Sequence, residues 1–361
     1  MEVDLASGTR REIGTTRWYE ILDPTFLADG SALLMTATDS DAGRSQVWLQ
    51  PYPEGPPVRV TNDLQDYERT TVTADGGIIA AVQEQRDTEV KLSDVGDESG
   101  GTILAPTPNQ RVWELDVART GAVVYRYITG RASVVGIIDG PGATPRPLTS
   151  DDASFDPSMS GDGKTIVFVS EAGGLAHIYA IDADGSNRRQ ITRGTGEIAP
   201  TLSDDGRTLV YKSLDTSLWT MPLAGGAPRK ITDKANGAGQ ISPDGVNVAF
   251  LEWRREGERS VSHLVVVPLA GGTPLLDVPW NASGDLRWHP NGKDLTYRRS
   301  VAGTAQIFAQ PLQGGQPRQL TRLKDGFINA YDWLPDGKLV MARGTTRSDV
   351  VLISNYRARR R

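Results

Sequence analysis

The stretch that decides the fold is PSMSGDGKTIVFVSEAGGLAHIYAIDADGSNRRQIT, which spans Pro157–Thr192. It alternates short apolar segments with two Asp-Gly turns, which end at Gly163 and Gly185. Asp-Gly between such segments is a strong hairpin signal, because a tight turn needs a positive φ that glycine adopts without a Cβ clash. The stretch therefore predicts four short strands connected by tight turns.

The whole chain repeats this unit. The glycine of the first turn recurs at intervals of 39 to 47 residues, as Gly30, Gly76, Gly121, Gly163, Gly206, Gly245, Gly292 and Gly337. A second series of eight glycine turns alternates with the first, and the segment after it often ends in threonine (RVT, PLT, QIT, KIT, QLT). Four short strands per unit at this period are the signature of a propeller blade. We predict an all-β, eight-bladed β-propeller of four-stranded antiparallel blades.

The repeats place residues 1–357 in a single propeller domain, followed by a basic tail at 358–361. The predicted blades are 18–63, 64–109, 110–152, 153–195, 196–234, 235–281, 282–324 and 325–357 plus 1–17. Because the last repeat lacks a fourth strand, we expect the N-terminal strand near Arg11–Thr16 to complete it and close the ring, which removes open sheet edges. Glu2–Leu5 could instead compete for the third-strand position of that blade.

Composition excludes several classes of protein. The chain has 361 residues with 38% hydrophobic residues, 39 Gly and 22 Pro, which suits short strands and turns. The net charge of −6 gives no general footprint for nucleic acid. There is no cysteine and no apolar run long enough to span a membrane.

The start of the chain, MEVDLASG, lacks the basic and apolar segments of a signal peptide and begins inside the repeat pattern. It suggests a domain excised from a longer protein, with an ordinary cytoplasmic start as the alternative.

The unit resembles the TolB-like propeller repeat, a bacterial relative of WD repeats with the pattern apolar-Ser-Pro-Asp-Gly-Lys. ISPDG at Ile241–Gly245 and WLPDGK at Trp333–Lys338 match it best. ARTG at Ala118–Gly121 departs from Asp-Gly, although its spacing holds. The ending ARGTTRSDVVLISNYR resembles the C-terminal propeller of bacterial serine/threonine kinases. These resemblances imply a sensor or interaction module of a larger bacterial protein, or a periplasmic, extracytoplasmic scaffold.

Motifs for catalysis are missing. There is no G-x-S-x-G nucleophile elbow, no glycine-rich phosphate loop and no kinase signature. His177 and His263 fall near third strands and not on inner strands, and His289 lies beside a first-hairpin turn, so all three are more simply explained as hydrogen-bonded or surface histidines than as metal ligands. We expect no enzyme activity, no cofactor and no metal.

The segments that enter the inner strands mix aromatic and charged residues, which suits a contact face for a protein or peptide. We therefore predict a non-catalytic binding module, a monomer with a protein or peptide partner. The alternatives are the substrate-gating propeller of a prolyl-oligopeptidase-type peptidase and a propeller lyase or other glycan-acting enzyme. The candidate binding residues are Trp18, Tyr19, Tyr67, Arg69, Trp113, Glu114, Asp116, Phe155, Asp156, Glu197, Gln240, Arg287, Tyr331 and Asp332.

Overall fold

A computed structural model describes residues 1–39, 44–97, 101–106, 111–129, 132–150, 153–282 and 286–356. Every regular element in these ranges is a β-strand. The strands divide into two compact units, a smaller one of residues 1–87 and 346–361 and a larger one of residues 88–345. The predicted basic tail at 358–361 lies outside the described residues.

The smaller unit contains the first strands of the chain. They are β1 (Glu2–Val3), β2 (Arg10–Arg11), β3 (Glu20–Phe26), β4 (Ala32–Thr38), β5 (Gln46–Pro51), β6 (Val58–Arg59), β7 (Asp66–Val72) and the first half of β8 (Ile78–Ser93). Strands β3 to β6 form one antiparallel sheet in chain order, and β7 pairs with the beginning of β8. The core of this unit includes Leu34, Val47 and Ile79, and Tyr356 joins it with its hydroxyl donating to the Gly76 carbonyl at 2.6 Å.

The larger unit contains the second half of β8 and most of the remaining strands. They are β9 (Thr102–Pro106), β10 (Arg111–Val117), β11 (Val123–Thr129), β12 (Ala132–Ile138), β13 (Arg146–Pro147), β14 (Ser154–Met159), β15 (Thr165–Ser170), β16 (His177–Asp182), β17 (Arg189–Gln190), β18 (Glu197–Leu202), β19 (Thr208–Ser213), β20 (Leu218–Pro222), β21 (Arg229–Thr232), β22 (Gln240–Ile241), β23 (Asn247–Glu256), β24 (Arg259–Pro268), β25 (Leu276–Trp280), β26 (Arg287–Trp288), β27 (Asp294–Val301), β28 (Thr304–Pro311), β29 (Arg318–Gln319), β30 (Phe327–Trp333) and the first half of β31 (Leu339–Ser354).

Six sheets form a closed ring within the larger unit. Five are four-stranded and follow one another from β10 to β29, each in chain order. In the sixth, β30 pairs with the start of β31, β31 lies beside β8, and β8 pairs with β9. Val90, Leu104 and Val340 pack together in its core. Strand β30 contacts β10 of the first sheet, and the Asn329 amide donates to the Val112 carbonyl at 2.7 Å, so the ring returns to its start.

The predicted all-β propeller with four-stranded antiparallel sheets is confirmed, and the described chain holds eight sheets, as many as the repeats. One of the eight is the short β1–β2 pair, and the second and last repeats share one five-stranded sheet. The extent of a single domain over 1–357, and the blade boundaries within it, stay predictions.

The predicted closure by the N-terminal strand is wrong. Arg10–Arg11 pairs with Glu2–Val3 in a two-stranded sheet, so neither the segment near Arg11–Thr16 nor Glu2–Leu5 completes the last repeat. An ion pair of 2.6 Å between Arg11 and Glu2 and a hydrogen bond of 2.7 Å from the Tyr52 hydroxyl to Glu2 hold this hairpin locally. The neighbour of β31 is instead β8, and both strands are sixteen residues long.

The repeated Ser-x-Asp-Gly motif closes each turn through side chains. The Ser160 hydroxyl donates to the Asp162 carboxylate at 2.7 Å and accepts the Thr165 N–H at 3.0 Å, while Asp162 also accepts the Lys164 N–H at 3.0 Å. Equivalent bonds recur in the turns at 203–208 and 242–247. These hydrogen bonds lower the pKa of Asp162 below its ordinary value. The serine and aspartate thus satisfy backbone groups that the tight turn leaves unpaired.

The ARTG sequence forms the same kind of turn as the Asp-Gly repeats. The Gly121 N–H donates to the Ala118 carbonyl at 3.0 Å, and Gly121 has φ of 89°. The turn therefore depends on the glycine rather than on the aspartate before it, which is replaced by Thr120 here. The second residue of the turn, Arg119, is free to differ from repeat to repeat.

The threonines that end several repeats also have a backbone role. The hydroxyls of Thr149, Thr192 and Thr321 accept N–H groups of the third strands of their sheets at 3.1, 2.9 and 2.8 Å. Each fourth strand is too short to supply these acceptors from its own backbone. A hydroxyl at the end of the strand extends the pairing by one bond.

We expect Asn329→Ala to lower the free energy of unfolding by about 1 kcal/mol, because it leaves the carbonyl of the buried Val112 without this donor where the ring closes. Urea denaturation of the whole chain measures the effect. Gln316→Ala, an exposed amide on an outer turn, is the control and should change stability by less than about 0.5 kcal/mol. Equal effects of the two substitutions would contradict a role for Asn329 at the closure.

Candidate functional site

A cavity of about 320 Å³ lies in the larger unit, where the inner strands of its six sheets converge. Two repeat positions contribute most of its lining. The first position is two residues before each turn, and the residues there are Asp116, Ser158, Thr201, Gln240, Arg287 and Asp332. The second position lies within the turn, and its lining residues are Arg119, Asp204, Pro243, Pro290 and Pro335. The cavity therefore opens toward the turn end of the inner strands.

Asp116 connects two neighbouring sheets at the cavity. Its Oδ2 accepts the Ser158 hydroxyl and the Met159 N–H, both at 2.7 Å, and its Oδ1 accepts the Val117 N–H at 3.0 Å. Ser158 in turn accepts the Leu202 N–H of the next sheet at 3.1 Å. The carboxylate and the hydroxyl thus satisfy backbone donors of inner strands that have no strand partner on the cavity side.

A second series of bonds runs parallel to this one, two residues earlier in each strand. Glu114 accepts the Asp156 N–H at 2.8 Å, and Asp156 accepts the Ala199 N–H at 2.9 Å. Asp156 and Ala199 have φ of 50° and 51°, and both lie where the register shifts at a β-bulge. The bulges turn these N–H groups toward the carboxylate of the preceding sheet.

Asp332 completes the acidic side of the cavity. Its Oδ1 accepts the Trp333 N–H at 2.8 Å and its Oδ2 accepts the Val117 N–H at 3.2 Å. Burial raises the pKa of Asp332 well above its ordinary value, the neighbouring Asp116 raises it further, and the positive charge of Arg287 opposes the change. A hydrogen bond between the two carboxyl groups favours the protonated form of Asp332.

Arg287 reaches from β26 toward the first sheet. Its Nη1 donates to the Leu286 carbonyl at 2.9 Å and its Nη2 to the Leu115 carbonyl at 3.3 Å. The guanidinium thus binds backbone acceptors on both sides of the closing sheet and places a positive charge beside Asp332.

At the rim of the cavity, Arg119 contacts two other sheets. Its Nε donates to Asp204 Oδ2 at 2.6 Å, its Nη2 also pairs with Oδ2, and its Nη2 donates to the Pro243 carbonyl at 2.9 Å. Burial raises the pKa of Asp204 above its ordinary value, whereas Arg119 opposes this rise. The side chain of Arg119 stays 57% exposed, so solvent reaches this end.

The predicted binding residues divide among several places. Asp116, Gln240, Arg287 and Asp332 line the cavity together. Trp18, Tyr19, Tyr67 and Arg69 lie in the smaller unit. There, Trp18 packs edge-on against Trp48, Tyr19 and Arg69 are exposed, and Tyr67 is buried with its hydroxyl donating to Asp63 at 2.7 Å. Burial raises the pKa of Tyr67 to about 12.

The remaining predicted residues of the larger unit do not line the cavity. Tyr331 is 1% exposed and donates to Thr296 at 3.2 Å, and Glu197 is buried beside His177 at 2.9 Å. Phe155 lies under the Arg126 guanidinium. Trp113, Glu114 and Asp156 complete this set, with Trp113 40% exposed. None of these contacts tests binding, so a contact face at the strand entrances stays a prediction.

Sequence reasoning missed Arg119, Asp204, Ser158 and the indole faces of Trp288 and Trp333, all of which line the cavity. The signal that could have found them was present. Aligning the eight turns places Arg119 at the same position as Asp204, and counting back two residues from each turn gives the rest of the ring.

The described ranges contain no cluster of three or more His, Asp or Glu residues that could hold a metal ion. His263 contacts Asp277 and Glu256 at 2.9 and 3.0 Å, and His289 packs on Trp333. No helix long and apolar enough to cross a bilayer occurs among the residues described.

Comparison with known proteins agrees with this architecture. The TolB crystal structure from Acinetobacter baumannii superposes with a TM-score of 0.53 at 13% identity, covering 78% of this chain and 81% of that one. The fold is therefore that of a TolB-like β-propeller.

Residues 145–254 match the family described as the dipeptidyl peptidase IV (DPP IV) N-terminal region. An uncharacterized peptidase of Bacillus subtilis, YuxL, is 28% identical over 109 residues, which are 28% of this chain and 16% of that protein. A probable dipeptidyl-peptidase 5 of Aspergillus clavatus is 27% identical over 125 residues, or 33% of this chain and 17% of that protein. The matched segments thus span about a sixth of these relatives.

We expect the free energy of unfolding to fall as the pH rises from about 4 toward the raised pKa of Asp332. A carboxyl group that binds its proton more tightly in the folded state stabilises that state fully at low pH, and the contribution is lost as the pH passes its folded pKa. Asp332→Asn should flatten this dependence and stabilise the protein at pH 8, by about 1.4 kcal/mol for each tenfold difference in proton affinity.

Urea denaturation between pH 5 and pH 8 measures this dependence. Asp336→Asn, an exposed aspartate in the following turn, is the matched control and should leave the slope unchanged. A wild-type curve that rises over this interval by the same amount as that of Asp332→Asn would contradict the prediction.

Proposed function

We propose that this chain is a non-catalytic propeller that binds a peptide segment of a partner protein in the cavity of the larger unit. The observation that carries the proposal is the lining itself. It combines carboxylates, guanidinium groups, amide and hydroxyl groups with two indoles and three turn prolines in one concave site. A concave site that places fixed polar groups beside apolar contacts can orient a bound ligand.

The chemistry of the cavity supports binding rather than catalysis. Asp116 and Ser158 already accept backbone N–H groups of neighbouring sheets, and the Ser158 hydroxyl donates to Asp116. A general base or nucleophile must reach its substrate, and these groups are used in holding the inner strands. The TolB-like fold fits a sensor or interaction module of a larger bacterial envelope or signalling protein, and an extracytoplasmic location and a monomeric state belong to the same proposal.

A second candidate is the substrate-gating propeller of a peptidase. The match of residues 145–254 to a peptidase N-terminal region and the two peptidase relatives favour it. In this case the peptide in the cavity is a substrate segment on its way to a catalytic domain. Both candidates need the cavity to accept an extended peptide, and they differ in whether the peptide is retained or passed on.

The test is a titration of the chain with an array of fluorescently labelled, unstructured peptides, with anisotropy as the readout. Thr201→Trp places an indole at a half-buried position of the cavity lining. We expect it to weaken peptide binding by at least about tenfold, or ~1.4 kcal/mol. Arg189→Trp, on the exposed outermost strand β17, is the control and should bind as the wild type does.

The outcomes separate the proposals. Binding that Thr201→Trp leaves unchanged would place the peptide elsewhere, and an array without any binder would remove the proposed function. A peptide retained at equilibrium with slow dissociation favours the interaction module, whereas weak, rapidly exchanging binding of many sequences favours the gating propeller.

A further inference from the structure

Arg119 is distinctive at its position in the repeat. In the six sheets of the larger unit the second turn residue is Arg119, Gly161, Asp204, Pro243, Pro290 or Pro335. All of these turns are described, and Arg119 is the one cation among them. Its repeat is also the one whose turn reads ARTG instead of ending in Asp-Gly or Asn-Gly. The turn geometry is kept, so the ARTG sequence changes the side chains at the rim and not the backbone.

The hydrogen-bond donors of the Arg119 guanidinium are only partly used. Its Nε and Nη2 both contact a single oxygen, Asp204 Oδ2, and Nη2 also donates to the Pro243 carbonyl. Nη1 has no partner within the part of the chain that the structure describes. A carboxylate that approaches a guanidinium in the plane of the fork uses both of its oxygens, and this arrangement is stronger and more specific than contact with one oxygen.

Asp204 is a replaceable partner for Arg119. The two side chains are 57% and 37% exposed, and exposed ion pairs of this kind contribute only about 0–1 kcal/mol. Burial disfavours the charge of Asp204 and raises its pKa, and the neighbouring carboxylates of Asp116 and Asp205 add to this effect. Exchanging Asp204 for another carboxylate at Arg119 therefore costs little.

We propose that Arg119 binds a carboxylate of the ligand at the rim of the cavity by displacing Asp204, so that the site takes an acidic peptide or a peptide carboxyl terminus. This inference rests on the proposed function, since it assumes that a peptide enters the cavity. The carboxylate of Asp116, deeper in the cavity, repels an anion, so the ligand carboxylate stays at the rim. Pro243 and Pro290 then contact the residues that precede it.

The experiment compares three labelled alanine–proline peptides of equal length on the whole chain. One has a free carboxyl terminus, one is its C-terminal amide, and one is the amide with a single internal glutamate. We expect the free acid or the glutamate peptide to bind at least tenfold more tightly than the neutral amide. The stronger of the two identifies which source of carboxylate the rim accepts. Arg119→Gln should abolish the difference.

The control is Arg207→Gln, which removes an exposed arginine from the turn that carries Asp204 without touching the cavity lining. It should keep the preference for the carboxylate. Equal binding of all three peptides to the wild type would overturn the inference while leaving the proposed function intact. Failure of all three peptides together with the whole array would remove both. Thermal unfolding of each variant shows that the fold is retained.

The pH dependence gives a second readout that a structural role of Arg119 would not produce. As the pH falls toward the raised pKa of Asp204, that carboxyl group loses its charge and releases Arg119, while a peptide carboxyl terminus with a pKa of about 3.3–3.7 stays ionised. The affinity for the free acid should rise in this interval. Asp204→Asn should bind it tightly already at neutral pH and without this dependence. Weaker binding by Asp204→Asn would contradict the exchange.

Discussion

The larger unit depends on carboxylates that accept backbone N–H groups from the neighbouring sheet. The inner strand of a propeller blade has a strand neighbour on one edge only, so its N–H groups on the cavity side need other acceptors. Asp116 supplies one for the Met159 N–H, and Glu114 and Asp156 supply them for the N–H groups of the bulged residues Asp156 and Ala199. These bonds connect neighbouring sheets, which also pack against each other through apolar side chains. Without them each inner strand would bury unpaired donors, at a cost of about 1–3 kcal/mol each.

This requirement explains why the cavity is charged. Acceptors must converge where the six inner strands converge, and two of them, Asp116 and Asp332, come close enough to disfavour a second negative charge. Arg287 offsets part of the repulsion and also satisfies the Leu115 carbonyl. A charged lining is therefore a consequence of the fold before it is a sign of function. Only a group whose hydrogen bonds are left partly unused, such as the Arg119 guanidinium, points beyond the structural role.

The sequence predicted those parts of the fold that depend on contacts within one repeat. The side chains of Ser160 and Asp162 close a turn by bonding to each other and to backbone N–H groups of the same turn, so the motif alone identifies the hairpin. The pairing of β31 with β8 was missed, because it joins segments far apart in sequence and leaves no mark in the local pattern of either strand. The direction in which each inner-strand side chain points was also hard to predict from the sequence. Tyr331 and Asp332 are adjacent, yet one is buried against Thr296 and the other lines the cavity, and bulges between residues such as Phe155 and Ser158 shift the alternation.

At the position two residues before each turn, the repeat shows which properties of the side chain the fold requires and which it leaves open. Every sheet presents the same backbone two residues before its turn, so the backbone does not dictate which side chain stands there. The chain nevertheless places carboxylates on two adjacent sheets, an arginine on a third, and hydroxyl or amide groups at Ser158, Thr201 and Gln240. The lining thus has its ionisable groups at this position on one side and neutral groups on the other. A symmetric ligand would bind equally well in either orientation. A peptide binds in one orientation, because its two ends differ in charge. The rim arginine lies on the same sheet as Asp116, so a carboxylate bound at the rim and the Asp116 carboxylate behind it together define that orientation.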